Sequence, residues 1–291
     1  MGWNSPNVPW KDLERTLSDR PPSGRASDAW PNGVEGDGGD SPAWSRKRST
    51  YEPPPEPVRH ASRVPYAELH CHSNFSFLDG ASHPEELAEE AARLDLKALA
   101  LTDHNGFYGI VRFAEAARTI GLPTVFGAEL TLDDRTIDLS RPGPADPVGE
   151  HLLVLARDPE GYAMLGRAIS EGQLAGEKGA PRISYERLVE LGGVGSQRGH
   201  DHWLILTGCR KASVPKALVE SGPAAARRAL DRLIADFGQS NVAVELWDHG
   251  LPSDSVRNDG LAELAMATGL DLVATGNVHH HSVARKRLAS A

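Results

Sequence analysis

The sequence predicts an α/β fold in which seven strands alternate with helices from about residue 64 onward. Two observations support this fold class. Short apolar runs typical of buried strands are separated by amphipathic helical stretches, which is the pattern of parallel strands with helices outside the sheet. Polar residues also follow the carboxyl ends of the strand candidates, where (β/α) barrels collect their functional side chains. The alternation alone also allows an open doubly wound sheet, and the polar residues favour the barrel.

The strand and helix candidates can be read in chain order. The strand candidates are YAELH near residue 66, ALALTD near 98, TVFGAEL near 124, HLLVLA at 151, HWLILTG near 202, VAVEL at 242 and LDLVATG near 270. The first helix candidate, HPEELAEEAARLD, follows Ser82, a predicted N-cap with Glu85 three residues later. The second, YGIVRFAEAARTIG, is predicted to stop at Gly121. The remaining helix candidates are DPEGYAMLGRAIS, SYERLVELG, PAAARRALDRLIADFG and NDGLAELAMATG.

Two segments lack the apolar periodicity of the rest. Residues 1–62 are rich in Pro, Gly, Ser and Asp, and we expect them to form a largely disordered tail. Residues 63–291 would then form the barrel. Within them, DDRTIDLSRPGPADPVGE at 133–150 is predicted to be an exposed insertion, because Pro and Gly interrupt any regular element there.

Composition excludes several classes of function. The net charge is −9, with 31 Lys and Arg against 40 Asp and Glu, which argues against a broad basic face for nucleic acid. The two cysteines provide no disulfide framework and indicate a reducing compartment. Neither a secretory signal nor an apolar run of roughly 20 residues is present. We therefore predict a cytoplasmic protein without a membrane partner.

The stretch AELHCHSNFSFLDGAS carries the strongest local signal. If Tyr66 to His72 is extended, His70 and His72 point to one face and Cys71 to the other. Two imidazoles on one face at a strand end can bind one metal ion. A pair of half-exposed loop histidines would have the same spacing, so the rest of the chain has to decide.

Other metal-ligand residue types recur at strand ends. Taken singly, each has an ordinary structural explanation, such as a loop histidine or a small buried cysteine. Together, imidazole, carboxylate and thiolate groups on consecutive strand ends favour a borderline divalent ion such as zinc or manganese. His151 departs from the pattern because it begins its strand. The candidates at strand ends are His70, His72, Asp103, His104, Glu129, Cys209, Glu245 and His279.

A bridging carboxylate would let two ions flank one phosphoryl group, which suits phosphoester hydrolysis without a protein nucleophile. A single-ion amidohydrolase also uses a His-x-His pair at its first strand. The opening pair therefore does not separate these two chemistries.

The motifs, in order, resemble a known domain. ELHCHSNFSFLDGAS, ALALTDHNGFYGIVRFAEAA, TVFGAEL, HLLVLARDPEGY, ILTGCRKASV, ELWDHGLPSD and VATGNVHH are similar to the polymerase-and-histidinol-phosphatase (PHP) domain at the N-terminus of bacterial C-family DNA polymerases. The phrases MGWNSPNVPWKDLERTL and HNGFYGIVRFAEAA resemble the error-prone, damage-associated branch. The resemblance implies a distorted seven-stranded (β/α) barrel that holds up to three divalent ions.

The resemblance also implies a ligand set. Its positions in this chain are His70, His72, Asp79, His104, Glu129, His151, Cys209, Asn277 and His279, and we expect Asp103 and His249 to support these ligands or to contact a phosphate. Free-standing phosphatases of the superfamily have histidines where Asp79 and Cys209 stand. An aspartate is expected where Asn277 stands. A neutral amide there should weaken one ion position and leave less driving force for making hydroxide.

The sequence is compatible with three functions. The first is the metal-binding barrel of an error-prone DNA polymerase, with weak or lost phosphoesterase activity. The second is an active 3′–5′ exonuclease or pyrophosphatase site, and the third is a free-standing histidinol-phosphatase. No palm with paired aspartates is visible, so we expect the chain to be a fragment or a truncated product that cannot polymerise DNA alone. The resemblance implies DNA, a sliding clamp and companion mutagenesis proteins as partners.

Overall fold

The computed structural model describes residues 51–54, 64–77, 79–132, 147–177 and 179–286. Most of the predicted tail, residues 1–62, and residues 133–146 of the predicted insertion lie outside these ranges. In the described part of the chain, no helix is both long enough and apolar enough to span a bilayer.

Seven strands form one sheet in chain order within the described residues, which confirms the predicted α/β class and the position of every strand candidate. The strands are β1 Ala67–Glu68, β2 Ala98–Leu101, β3 Thr124–Thr131, β4 His151–Ala156, β5 Trp203–Leu206, β6 Val242–Leu246 and β7 Leu272–Ala274. The first candidate is the shortest in the structure, because regular pairing with β2 stops at Glu68.

The expectation of uniformly parallel pairing is wrong for β4. β4 runs antiparallel to both β3 and β5, whereas the other neighbouring pairs are parallel. Parallel neighbours need a crossover of a dozen or more residues, usually helical. The sequence at 133–150, which contains Pro and Gly, has no apolar pattern of a helix. It therefore provides no crossover helix between β3 and β4, and an antiparallel β4 does not need one.

The two ends of the sheet meet at one rim and complete the distorted barrel. The backbone N–H of His72 donates to the carbonyl of Val278 over 2.8 Å, and the N–H of Val278 donates to the carbonyl of His70 over 2.9 Å. Nearby, the backbone N–H of His281 donates to the hydroxyl of Ser82 over 2.9 Å. The segment after β7 is thereby held against the segment after β1.

Helices surround the sheet in the described residues. They are α1 Pro84–Arg93, α2 Ile110–Ile120, α3 Pro159–Ala175, α4 Tyr185–Gly192, α5 Ser213–Ser221, α6 Pro223–Phe237 and α7 Pro252–Thr268, with 3-10 turns at Gln239–Asn241 and Val283–Arg285. As predicted, α2 stops at Gly121, which has a left-handed backbone with φ of 71°. The predicted N-cap of α1 is wrong by one residue: His83 occupies it, and its N–H donates to Glu86 over 2.9 Å.

Alternate residues of the strands build two apolar layers. One side of β4, with Leu152 and Val154, packs against the helices around the fully buried Trp203. The other side, with Leu153 and Leu155, packs inside the barrel with a small cluster of Ala100, Leu206 and Ala243. This apolar cluster fills one half of the barrel interior, and polar side chains occupy the half at the carboxyl ends of the parallel strands.

Candidate metal centre

The predicted ligand residues lie at one rim of the barrel. Those contributed by β1, β2, β5 and β7 follow the carboxyl ends of their strands, and Glu129 lies within β3. His151 is the first residue of β4, yet it reaches the same rim because β4 is antiparallel. The reversed strand accounts for the departure of His151 from the sequence pattern.

Glu129 lies among four buried histidines. The side chain of Glu129 is 3% exposed and those of His70 and His151 are fully buried. The distances from its carboxylate oxygens to the nearest ring nitrogens are 3.6 Å for His70, 3.3 Å for His72, 3.5 Å for His104 and 3.3 Å for His151. Two sets of three potential ligands result, His70 with His72 and Glu129, and His104 with Glu129 and His151.

Asp79 is the centre of a second group next to the first. Its Oδ2 lies 3.3 Å from Nε2 of His104, and its Oδ1 lies 3.1 Å from Nδ1 of His279. Asp79, His279 and His72 form a third set whose potential ligand atoms lie within 4.8 Å of one another. His104 therefore contacts both carboxylates, and His72 belongs to two of the three sets.

A cavity of about 140 Å³ next to Asp79 and Glu129 is lined by three more of the predicted residues, Cys209, His249 and Asn277. Sγ of Cys209 lies 3.5 Å from Nδ1 of His151. Oδ1 of Asn277 lies 3.1 Å from Nε2 of His279, and the Asn277 backbone is left-handed with φ of 43°. His249 is exposed on the cavity wall, and its Nε2 donates to the carbonyl of Gly276 over 2.8 Å.

Asp103 is connected to the histidine cluster through two serines, Ser73 and Ser76, neither of which was a predicted site residue. Its carboxylate accepts hydrogen bonds from the backbone N–H and hydroxyl of Ser73, both over 2.7 Å, and from the hydroxyl of Ser76 over 2.8 Å. Oγ of Ser76 in turn lies 3.2 Å from Nδ1 of His72. Serines in a polar loop give no sequence signal for such a role.

Two further buried acids lie next to the cluster. Glu245 was a strand-end candidate outside the ligand set that the resemblance implies, and Glu68 was not a candidate. Glu68 accepts from the backbone N–H of His70 over 2.9 Å and from that of Gly276 over 2.7 Å. Oε1 of Glu245 lies 2.7 Å from Nδ1 of His70. Both acids end or interrupt apolar strands, the same signal that identified Glu129.

The electrostatics of the cluster favour ionised carboxylates and a neutral His72. Burial by itself raises the pKa of Glu129, but attraction to His70 and to the other imidazoles within 3.6 Å holds that pKa well below its usual range. Asp79 shows the same balance, and its pKa is also lowered. Burial, reinforced by the neighbouring His104, lowers the pKa of His72 to about 3.

The donor set fits a divalent metal ion. Oδ2 of Asp79 and Oε1 of Glu129 are buried, and neither has a hydrogen-bond partner in the described residues, although each lies 3.3 Å from an imidazole nitrogen. Buried carboxylate oxygens without partners are costly unless a cation balances them. Imidazole, carboxylate and thiol donors together suit zinc or manganese.

Comparison with known proteins identifies the family of the chain. The family model described as PHP domain matches residues 68–249. The error-prone DNA polymerase of Mycolicibacterium paratuberculosis is 51% identical over 293 residues, and that of Mycobacterium tuberculosis strain H37Rv is 51% identical over 292. Each alignment covers 100% of this chain and 25% of the relative, so the chain spans about a quarter of their length.

Among solved structures, a protein from Bifidobacterium adolescentis described as a metal-dependent phosphoesterase is 18% identical, with a TM-score of 0.47. The match covers 74% of this chain and 88% of that protein. The family model, whose match includes β2 to β6 and the residues after β1, decides the assignment. This chain belongs to the PHP domain family.

Proposed function

We propose that the chain is the metal-binding N-terminal PHP domain of an error-prone DNA-directed DNA polymerase that acts in damage-induced mutagenesis and translesion synthesis. In this proposal the barrel binds divalent metal and serves mainly as a scaffold, with weak or lost phosphoesterase activity. Nucleotide transfer would belong to the rest of the longer protein. The observation that carries the proposal is the identity of 51% to error-prone DNA polymerases over the whole chain, combined with the Glu129 cluster.

The residues that would hold metal fall into the three sets around Glu129 and Asp79. A bound divalent ion would supply Lewis-acid activation of a phosphoryl oxygen and of water. The chain's own contribution is to keep the two carboxylates ionised and to direct several imidazoles at one point. The proposed ligands are His70, His72, Asp79, His104, Glu129, His151, Cys209, His279 and, more weakly, Asn277.

Asn277 favours the scaffold over an efficient hydrolase. Its side chain lines the cavity beside His279, where an aspartate would add a negative charge. An amide oxygen binds a cation through a dipole only, so the ion position next to His279 would be the weakest. A partly filled site holds its fold but lacks the paired ions that phosphoester cleavage uses.

An active 3′–5′ exonuclease or phosphoesterase in the same barrel is the second candidate. The observation in its favour is that the cavity of about 140 Å³ opens directly onto Asp79, His104 and Glu129. Asp79, His104 and Glu129 would hold the ions, which would supply Lewis-acid activation to a phosphate group placed in the cavity. A histidinol-phosphatase is the third candidate, and Asp79 and Cys209, which replace histidines of that class, count against it.

Metal analysis followed by hydrolysis assays would separate the three functions. The purified chain should contain zinc or manganese and show little turnover of single-stranded DNA or histidinol phosphate. Trimming of DNA that stops with a chelator and with His104→Ala would instead establish the exonuclease. Turnover of histidinol phosphate alone would establish the small-molecule phosphatase.

The partners follow from the same proposal. DNA would be contacted by the rest of the longer polymerase, together with a sliding clamp and companion mutagenesis proteins in the cytoplasm. The net charge of −9 over the whole chain argues against a broad basic face for the phosphate backbone. Co-purification of the full-length protein with its sliding clamp, compared with this chain alone, would test where the contacts lie.

A further inference from the structure

Glu245 is a buried acid beneath the metal cluster. It lies in β6, is 0% exposed, and its Oε1 is 2.7 Å from Nδ1 of His70. On the other side of the same ring, Nε2 of His70 lies 3.1 Å from Nε2 of His72 and 3.6 Å from Oε2 of Glu129. The imidazole therefore bridges an acid outside the three ligand sets and the proposed ligands.

The position of Glu245 is itself fixed by two hydroxyl groups. The hydroxyl of Thr275 donates to the same Oε1, and the backbone N–H of Glu245 donates to Oγ1 of Thr207 over 2.9 Å. Thr275 follows β7 and Thr207 follows β5, so both strands that flank β6 hold the acid in place. A carboxylate held this rigidly can set the angle of the ring it contacts.

The chemistry of the contact selects one tautomer of His70. Oε1 of Glu245 already acts as an acceptor for the hydroxyl of Thr275, so Nδ1 of His70, 2.7 Å from the same oxygen, is assigned as the second donor. A histidine that binds a metal ion is neutral, and with its hydrogen on Nδ1 the lone pair lies on Nε2, the nitrogen of His70 that faces Glu129. A partner on the far nitrogen is the usual way in which a metal-binding histidine is oriented.

A packing role does not explain this residue. Oε2 of Glu245 is buried and has no hydrogen-bond partner in the described residues, which costs the fold free energy. The neighbouring interior positions are filled by Ala243 and Leu206, and an apolar side chain would suit them better. The acid has to be explained by its contact with His70.

We propose that Glu245 is the positioning residue of the metal centre, which fixes the tautomer and the angle of His70 so that Nε2 faces the ion. This inference rests on the proposed metal binding. It predicts that an acceptor at position 245 preserves metal affinity, whether or not the acceptor is charged, and that an apolar residue of similar size does not.

The test compares zinc affinity of the metal-stripped chain by competition with a chelator. Glu245→Gln keeps an acceptor and should bind within about threefold of wild type, whereas Glu245→Leu should bind about 10- to 100-fold more weakly, as loss of such partners typically does. Asp236→Asn is the matched control, because Asp236 also accepts from a hydroxyl, that of Tyr185 over 2.7 Å, but on α6 away from the cluster. The zinc affinity of the Asp236→Asn variant should equal that of wild type.

Several outcomes would overturn the proposal. Equal binding by Glu245→Leu and wild type would show that the contact with His70 is incidental. Equal losses in the Gln and Leu variants would show an effect of charge, which the tautomer account excludes. If wild type binds no zinc, the proposed metal function fails instead, and the two failures are thus distinct.

A spectroscopic readout covers the case in which Glu245→Leu does not fold. In the zinc-loaded wild type, ¹⁵N NMR should show hydrogen on Nδ1 of His70, protected from exchange by Glu245. Thr275→Val, which keeps the acid but removes its support, should accelerate that exchange and weaken zinc binding several-fold. A His70 ring with hydrogen on Nε2, or an unchanged exchange rate in Thr275→Val, would contradict the proposal.

Discussion

Nδ1 of His151 lies 3.3 Å from Oε1 of Glu129, and the two residues belong to neighbouring antiparallel strands. The register places His151 opposite Thr131 and Leu153 opposite Glu129, so the two side chains lie two residues apart along the pair. Reversal of one strand in the barrel thereby adds a fourth imidazole to the group around one carboxylate.

Glu129→Gln should remove at least one metal ion per chain. The carboxylate is shared by four histidines, and an amide at its position can neither bridge two ions nor balance their charge. Equilibrium dialysis followed by elemental analysis measures the loss. Glu190→Gln, which removes a surface ion pair with Arg187, is the control and should retain full stoichiometry. Wild-type metal content in the Glu129→Gln variant would contradict the central position of Glu129.

Asn277→Asp should raise metal occupancy. The substitution adds a carboxylate beside His279, and aspartate tolerates the left-handed backbone of this position about as well as asparagine. Stoichiometry at limiting zinc or manganese is the measurement. Gln197→Glu adds the same charge at an exposed position and should have no effect. Unchanged stoichiometry in Asn277→Asp would remove this residue from the site.

Alkylation should distinguish the two cysteines. Cys71 is 0% exposed and burial raises the pKa of its thiol well above the usual range, whereas Cys209 lines the cavity. Iodoacetamide should therefore modify Cys209 first in the metal-free chain, and zinc should slow that reaction several-fold because a bound thiolate is a poor nucleophile.

Peptide mass spectrometry would follow both sites separately. Cys209→Ser should leave one slowly reacting thiol whose rate does not respond to zinc. If zinc gave Cys209 no protection in the wild-type chain, the thiol would not be a ligand.

Gly80→Ala should destabilise the loop that carries Asp79. A Cβ on Gly80 would lie 1.9 Å from the carbonyl oxygen of Ser73, so the backbone must move. Overpacking of this kind typically costs about 1–3 kcal/mol of unfolding free energy. We expect a lower Tm and weaker metal binding, measured by calorimetry and chelator competition. Gly195→Ala, where the added Cβ meets no atom within 4 Å, should leave both unchanged.

The stability that Glu171 of α3 contributes through its ion pair with Arg187 of α4 should depend on pH. Hydrogen bonds from Arg187 and Arg167 lower the pKa of Glu171 to about 2. Because the folded pKa lies below the unfolded one, the contribution is present above about pH 4.3 and is lost as the pH falls toward 2. The side chain is 37% exposed, so solvent limits the contribution to about 1 kcal/mol or less.

Urea unfolding of wild type and Glu171→Gln across this pH range measures the effect. The variant should be less stable at pH 7, and the difference should disappear near pH 2. A difference that stayed constant with pH would show that the ionised form of Glu171 is not what stabilises the fold.

The fold class and most of the candidate metal ligands could be predicted, because each is indicated by a short stretch of sequence. Apolar runs identified all seven strands, and ionisable residues at their ends identified the cluster, as with His104 and Glu129. The direction of β4 could not be predicted, because strand direction depends on pairing between distant segments. Ser76 was missed and Glu245 was named only as a strand-end candidate for the same reason, since the contacts of Ser76 with Asp103 and of Glu245 with His70 join distant residues.

The hydrogen bond between Ser82 and His281 joins residues 199 positions apart in the sequence. A ribosome releases the N-terminal part of a protein first. His70, His72 and Glu129 therefore leave the exit tunnel long before His279 is made. The ligand set that contains His279 is therefore completed only when the segment after β7 reaches the segment after β1, whereas the two sets that contain Glu129 need no residue beyond His151.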